Sequence, residues 1–253
     1  MVPEQPPQQP PPVQKLRIRY AKRGRLRFTS HRDFGRAFER AVRRAGLPMA
    51  YSSGFHPHPR ISYANASPTG AATEAEYLEI GVAEFCDPAD ILQRLDASLP
   101  PGLDVLDVVV AGPGSLADRL EASRWEIAMP GVEPLAARRA VQSFLAQPSI
   151  EVERMTKHGL RTFDCRAAVI SLVACAGEAD GRECAILKAV IRHGTPAVRP
   201  DDILAGLREI AGLEAPVPPL QTRIAQGPLD AETAGVGDPL GPDRDAQLPA
   251  GDR

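Results

Sequence analysis

Between Lys15 and Arg44, twelve lysines and arginines stand against two acids, Asp33 and Glu39, so this stretch carries +10 in a chain whose net charge is −2. Any fold the segment adopts must either spread these charges over solvent or supply them with an anion. Within it, Leu16, Ile18 and Tyr20 alternate with Lys15, Arg17 and Arg19. That period of two predicts a strand with one buried face and one cationic face. Lys22-Arg23-Gly24 reads as a turn, and Leu26 and Phe28 against Arg25 and Arg27 predict a second short strand.

A helix follows. Ser30 is its N-cap, Asp33 sits three residues on as in a capping box, and Gly46 with Pro48 closes it. Phe34, Ala37, Phe38, Ala41, Val42 and Ala45 fall in an arc of about 140°, and Arg32, Arg36, Arg40, Arg43 and Arg44 in a neighbouring arc of about 120°. Arginines four apart repel one another by a few tenths of a kcal/mol per pair, and Arg32 and Arg36 also stand near the positive end of the helix dipole. A merely solvated face mixes Glu with Lys more cheaply. The stripe therefore points to an anion-binding surface.

The remaining pattern predicts strands at 49–53, 60–64 and 76–82, a rigid loop at 54–60 set by Pro57 and Pro59, a helix from Asp87 to about 99, and a strand over 103–110. A second series follows: strand 125–129, helix 133–146, strands 149–155 and 161–175 around Lys157-His158-Gly159, strand 183–192, helix 200–210 and strand 220–225. Strand, helix, strand, strand, helix, strand is the ferredoxin-like split unit. The expected fold is thus α+β, with two tandem ferredoxin-like modules over 15–112 and 120–226 joined near Gly112-Pro113-Gly114. Residues 1–12 hold six prolines and three glutamines, and the stretch from 227 onward is rich in Gly, Pro, Asp and Ala. Tails of that composition bury too little to offset their ordering entropy, so 1–14 and 227–253 are expected to be disordered.

No basic leader precedes an apolar run and no stretch approaches eighteen apolar residues, which disfavours secretion and membrane spanning and suggests a cytoplasmic protein. Cys86, Cys165, Cys175 and Cys184 lack close paired spacing and read as free structural thiols. The chain has no motif for holding an iron–sulfur cluster by itself.

The runs Lys22-x-Gly24-x-Leu26-Arg27-Phe28-x-Ser30-His31-x-Asp33, Arg43-x-Ala45-Gly46-Leu47-Pro48-x-Ala50-Tyr51-Ser52-x-Gly54-Phe55-x-Pro57-His58-Pro59 and Glu74-x-Glu76-Tyr77 closely resemble the radical-SAM-linked protein family, itself uncharacterised. The resemblance covers roughly 14–225 and is strongest in the first half. In the second half, Lys157-x-Gly159-x-Arg161-x-Phe163-Asp164-x-Arg166 carries it best. It implies association with a separate radical-SAM protein that would bring the iron–sulfur cluster and S-adenosylmethionine, this chain binding neither.

The phosphate-binding candidates are Arg17, Arg19, Lys22, Arg25, Arg27, Ser30, His31, Arg32, Arg36, Arg40, Arg44, His56, His58 and Arg60, with Phe55 for base stacking. Strand arginines, a helix N-terminus and an aromatic loop are parts of an RNA-binding surface. The leading expectation is a non-catalytic RNA-binding protein that presents a tRNA or rRNA to the radical-SAM enzyme. A second reading is acid–base or metal-assisted chemistry on a phosphate-containing substrate. It would use His31, Asp33, His56 and His58, with His31, His56, His58 and Glu76 as the metal candidates. Asp164 and Arg166 are predicted to form an internal ion pair on one strand face.

Overall fold

A computed structural model describes residues 8–156, 159–179, 181–230 and 232–246. The chain forms two compact units, one of Met1–Asp118 with Pro239–Arg253 and one of Arg119–Asp238. Both are α+β. Among the described residues no helix is long and apolar enough to cross a membrane.

In the first unit the elements run β1 (Gln14–Lys22), α1 (His31–Arg44), β2 (Ile61–Ala64), β3 (Ala72–Val82), α2 (Pro88–Asp96) and β4 (Leu103–Val110). The strands pair antiparallel in the order β4, β1, β3, β2. Leu16, Ile18 and Tyr20 point into the core as their alternation predicts, against Phe34, Phe38, Leu78, Ile80, Ile91 and Leu95. Tyr20 stacks on Phe34 at 4.4 Å between ring centroids, which seats α1 across the sheet.

The other face of β1 is not the open cationic face that the alternation predicts. Arg17 is only 1% exposed. A buried guanidinium is tolerable only with its donors satisfied. Here Glu79 takes Nε at 3.1 Å, Gly114 O accepts from a terminal nitrogen, and both carboxylate oxygens of Asp243 accept from Nη1 at 2.8 and 2.9 Å. Lys22 is also buried, at 5% exposure. The β1 register slips against β4 between Arg19 and Tyr20 and against β3 between Tyr20 and Lys22. The extra residue at each slip lies in β3 or β4, so β1 keeps its alternation and Lys22 falls on the same face as Leu16, Ile18 and Tyr20.

Asp243 belongs to α5 (Gly241–Asp245), and its Oδ1 also accepts from the Gly112 backbone N–H at 2.9 Å. The described part of the expected C-terminal tail is therefore structured. It forms a short hairpin of β11 (Leu229–Asp230) and β12 (Gly235–Val236), then α5, with Leu240 and Asp243 buried. At the other end Val13 N–H donates to Val82 O and Gln9 N–H to Ser53 Oγ, so order begins before residue 14. Residues 1–7 and 247–253 of the two expected tails lie outside the described residues.

Two more local expectations change. Residues 24–28 form not a strand but a 3-10 turn, Gly24–Phe28, begun by Gly24 at φ +54° and closed by the Leu26 N–H on Arg23 O. At 49–53 there are only isolated bridges, Met49 to Val82 and Tyr51 to Pro59, because Pro57 and Pro59 cut the pairing short.

The second unit contains β5 (Ala122–Met129), α3 (Pro134–Leu145), β6 (Glu151–Thr156), β7 (Gly159–Asp164), β8 (Val169–Ala179), β9 (Arg182–Arg192), α4 (Pro200–Ala211) and β10 (Leu220–Gly227). Its main sheet runs β10, β5, β9, β8, with β6 and β7 set apart as a separate hairpin. Without that hairpin the succession and strand order repeat those of the first unit. The strand predicted over 161–175 breaks at 165–168, where Asp164 Oδ1 accepts from the Arg166 and Ile150 N–H groups at 2.8 and 2.9 Å. Asp164 thus turns the backbone, and Arg166 bonds Val169 O at 3.1 Å in place of the expected ion pair. Residues Lys157 and His158, named in the predicted turn, lie outside the described residues. Gly206 lets α4 approach closely: a Cβ there would meet Phe144 at 2.8 Å and the Cys165 sulfur at 3.1 Å. All four cysteines are free, Cys165 and Cys184 buried and Cys86 and Cys175 half-buried. Burial pushes the Cys165 thiol up to about 12.

Candidate nucleic-acid interface

Helix α1 starts where the sequence predicts. Ser30 Oγ accepts from the Asp33 N–H at 3.1 Å and donates to Asp33 Oδ2 at 2.7 Å. Ser30 is thus the cap, and the Asp33 carboxylate braces its hydroxyl without closing the expected capping box, engaged with Ser30 and not with His31. The buried faces of Phe34, Phe38, Ala41 and Val42 rotate Arg32, Arg36 and Arg40 outward, and Arg25 is exposed on the preceding 3-10 turn. Arg27 is half-buried, its guanidinium lying over the Phe28 ring at 4.7 Å from the centroid.

Among the described residues, the side chains of Arg25, Arg27, Arg32, Arg36 and Arg40 form neither ion pair nor hydrogen bond. The other cations of the run have partners. Lys15 pairs with Glu79 at 2.9 Å, Arg23 with Glu74 and with Asp104 at 2.7 Å, and Arg43 with Glu39 at 3.5 Å. Arg19 donates to Glu74 O at 2.8 Å and Arg44 to Ser98 O at 3.2 Å. Arg17 and Lys22 are buried, so they leave the phosphate-binding set. Burial in a paired network removes the first from any ligand, and the period of two that buries Leu16, Ile18 and Tyr20 carries the second to the same inner face.

His31 is exposed and meets the Tyr63 ring edge-on at 4.9 Å. It lines a water-sized cavity with Lys22, Thr29, Ser67 and Glu76. Glu76 is buried there and accepts from the Ser67 N–H at 3.1 Å. Burial first, and then the charge of Glu39, push the Tyr63 phenol up to about 12.

The His/Pro loop sits elsewhere. Tyr51 bridges Pro59, His58 N–H donates to Ser52 Oγ at 3.0 Å, and Gly81 N–H donates to Arg60 O at 2.9 Å. Its anchor, Gly81, is five residues along β3 from Glu76, about 17 Å at strand spacing. Phe55, His56 and His58 are exposed on this loop, and Arg60 Nε is held by Tyr51 O at 3.0 Å. His31 and Glu76 are therefore not brought together with His56 and His58. Among the described residues no group of three His, Cys, Asp or Glu is placed to hold a metal ion.

Sequence reasoning missed Phe28, read as a core strand residue yet 59% exposed beside the unpaired arginines. The signal available was Gly24, which favours a turn continuing past 24 over a strand restarting at 25. In the second unit an open cleft of about 490 Å³ lies between α4 and the Pro-rich loop 213–219. Its one cation, Arg208, faces Glu214 at 3.8 Å, which gives the cleft no anion-binding character.

No curated protein matches the chain closely enough to count as a relative. The family described as an uncharacterized protein conserved in bacteria (DUF2344) matches residues 15–200, most of the chain including the whole basic helix, and the protein belongs to that family.

Proposed function

We propose that this chain is a non-catalytic RNA-binding protein that holds a structured RNA, a tRNA or rRNA element, for a separate radical-SAM modification enzyme in the cytoplasm. Each of its two units is read as a ferredoxin-like module. The repeated strand order supports that reading of the units. The resemblance of the 22–33 and 43–59 runs to radical-SAM-linked proteins motivates the choice of partner, which would bring the iron–sulfur cluster and S-adenosylmethionine.

One observation carries the RNA reading: Arg25, Arg27, Arg32, Arg36 and Arg40 present guanidinium groups with no carboxylate among the described residues to neutralise them. Arg32, Arg36 and Arg40 are i,i+4 neighbours on one helix face, where each repels the next. A phosphate backbone removes that repulsion, and arginine suits it through its fork of donors.

An electrophoretic shift with total tRNA and rRNA fragments at 50 mM salt tests the idea. The wild type should bind, and Arg32/Arg36/Arg40→Glu should not. Absence of wild-type binding under these conditions removes the proposal.

A further inference from the structure

Phe28 is the exposed residue that the basic surface does not explain. The Gly24–Phe28 turn is a 3-10 helix, in which residues three apart lie on the same side, so Arg25 and Phe28 share a face. Leu26 packs against the core while Phe28 stays 59% exposed, even with Arg27 over its ring and Gly70 beside its edge. Two residues further on, Ser30 caps α1, and Arg32 follows. An aromatic plane is thus fixed between unpaired guanidiniums at the start of the arginine stripe. An apolar ring held out to solvent in that company does little for the fold.

We propose that Phe28 is a stacking platform for an unpaired nucleobase, so that the RNA engaged here is a single strand or a loop and not a continuous duplex. This rests on the RNA-binding reading and specifies its substrate class. Every base has a π-face, and an aromatic side chain among cations is how single strands are held without regard to sequence. The bases of an A-form duplex are stacked on one another and cannot reach the ring. Arg25, on the same face of the turn, and Arg32, four residues on in sequence, are the cations assigned to the phosphates on either side of the stacked base.

The test compares Phe28→Leu and Phe28→Trp with wild type in fluorescence polarisation, using a labelled single-stranded RNA, the same sequence as a blunt duplex, and heparin, a polyanion without bases. Phe28→Leu should weaken single-strand binding about 5- to 150-fold, the range of one base–aromatic stack, and leave heparin binding unchanged. Phe28→Trp should retain single-strand affinity, and its added indole fluorescence should fall as RNA binds. The stacking proposal is overturned, with the RNA reading intact, if Phe28→Leu binds the single strand like wild type or if wild type prefers the duplex. Equal loss of heparin and RNA binding in Phe28→Leu overturns it too, by showing that the ring serves the fold. Failure of wild type to bind any of the three polyanions sinks the RNA reading itself.

Discussion

The cations of β1 and those of α1 come from one uninterrupted basic run and meet opposite ends. On β1, Arg17 is enclosed and shared between Glu79 and Asp243, and Lys15 joins it on Glu79. On α1, Arg32, Arg36 and Arg40 have no partner among the described residues. A strand in mid-sheet has neighbours on both sides and both faces, so its charges are answered by residues 62 and 226 positions away. A helix lying on one face of the sheet is answered only on the side that packs. Charge density along a sequence therefore overstates the surface available to a ligand by the part that the sheet takes for itself.

Breaking the β1 network should have the largest effect. Arg17→Ala leaves Asp243 buried without its cation and should cost about 3–5 kcal/mol in urea unfolding. RNA affinity of the folded protein should stay unchanged, and a loss of affinity at unaltered stability would return Arg17 to the ligand surface. On α1 the reverse holds. If about four phosphates are engaged, raising salt from 50 to 200 mM should weaken single-strand binding roughly 50-fold, and Arg36→Ala should reduce that factor to about 20. Its melting temperature should hardly move, so a marked destabilisation would show the stripe to be structural.

The smallest effect concerns an acid satisfied by backbone. Burial pushes the Asp164 carboxyl upward, but the N–H groups of Ile150, Arg166 and Ala167 and the Ser149 hydroxyl outweigh it and hold it below the usual carboxylate range. A depressed folded value means stability that is present above the ordinary carboxylate pKa and lost as pH falls through the folded one. Melting temperatures at pH 5 and pH 3 should therefore differ more for wild type than for Asp164→Asn. Equal differences would show that the turn at 165–168 does not depend on this charge.

Much of the scaffold was legible because its signals are local. The 103–110 strand has the predicted bounds, and Ser30, Asp87 and Gly46 mark the ends of α1 and α2 as capping chemistry requires. What could not be read was set by distant residues. Arg17 needed Asp243 to be recognised as interior. The break after Asp164 needed the N–H of Ile150, whereas the inward aim of Lys22 follows from the alternation of Leu16, Ile18 and Tyr20 once β1 runs through it. The candidate site divided in the same way: the stripe of α1 follows from 3.6-residue periodicity, whereas the distance between His31 and the His/Pro loop follows from the pairing of β3.

The bond between Arg17 and Asp243 also sets an order of events during synthesis. At ribosomal rates the 226 positions from one to the other take about 10–45 s to be made, during which the first unit is without its closing carboxylate. The whole Arg119–Asp238 unit emerges in that interval and can complete its own core first. The basic half, although it leaves the ribosome earlier, would then be the later of the two to mature, with its arginines open to passing polyanions while it waits.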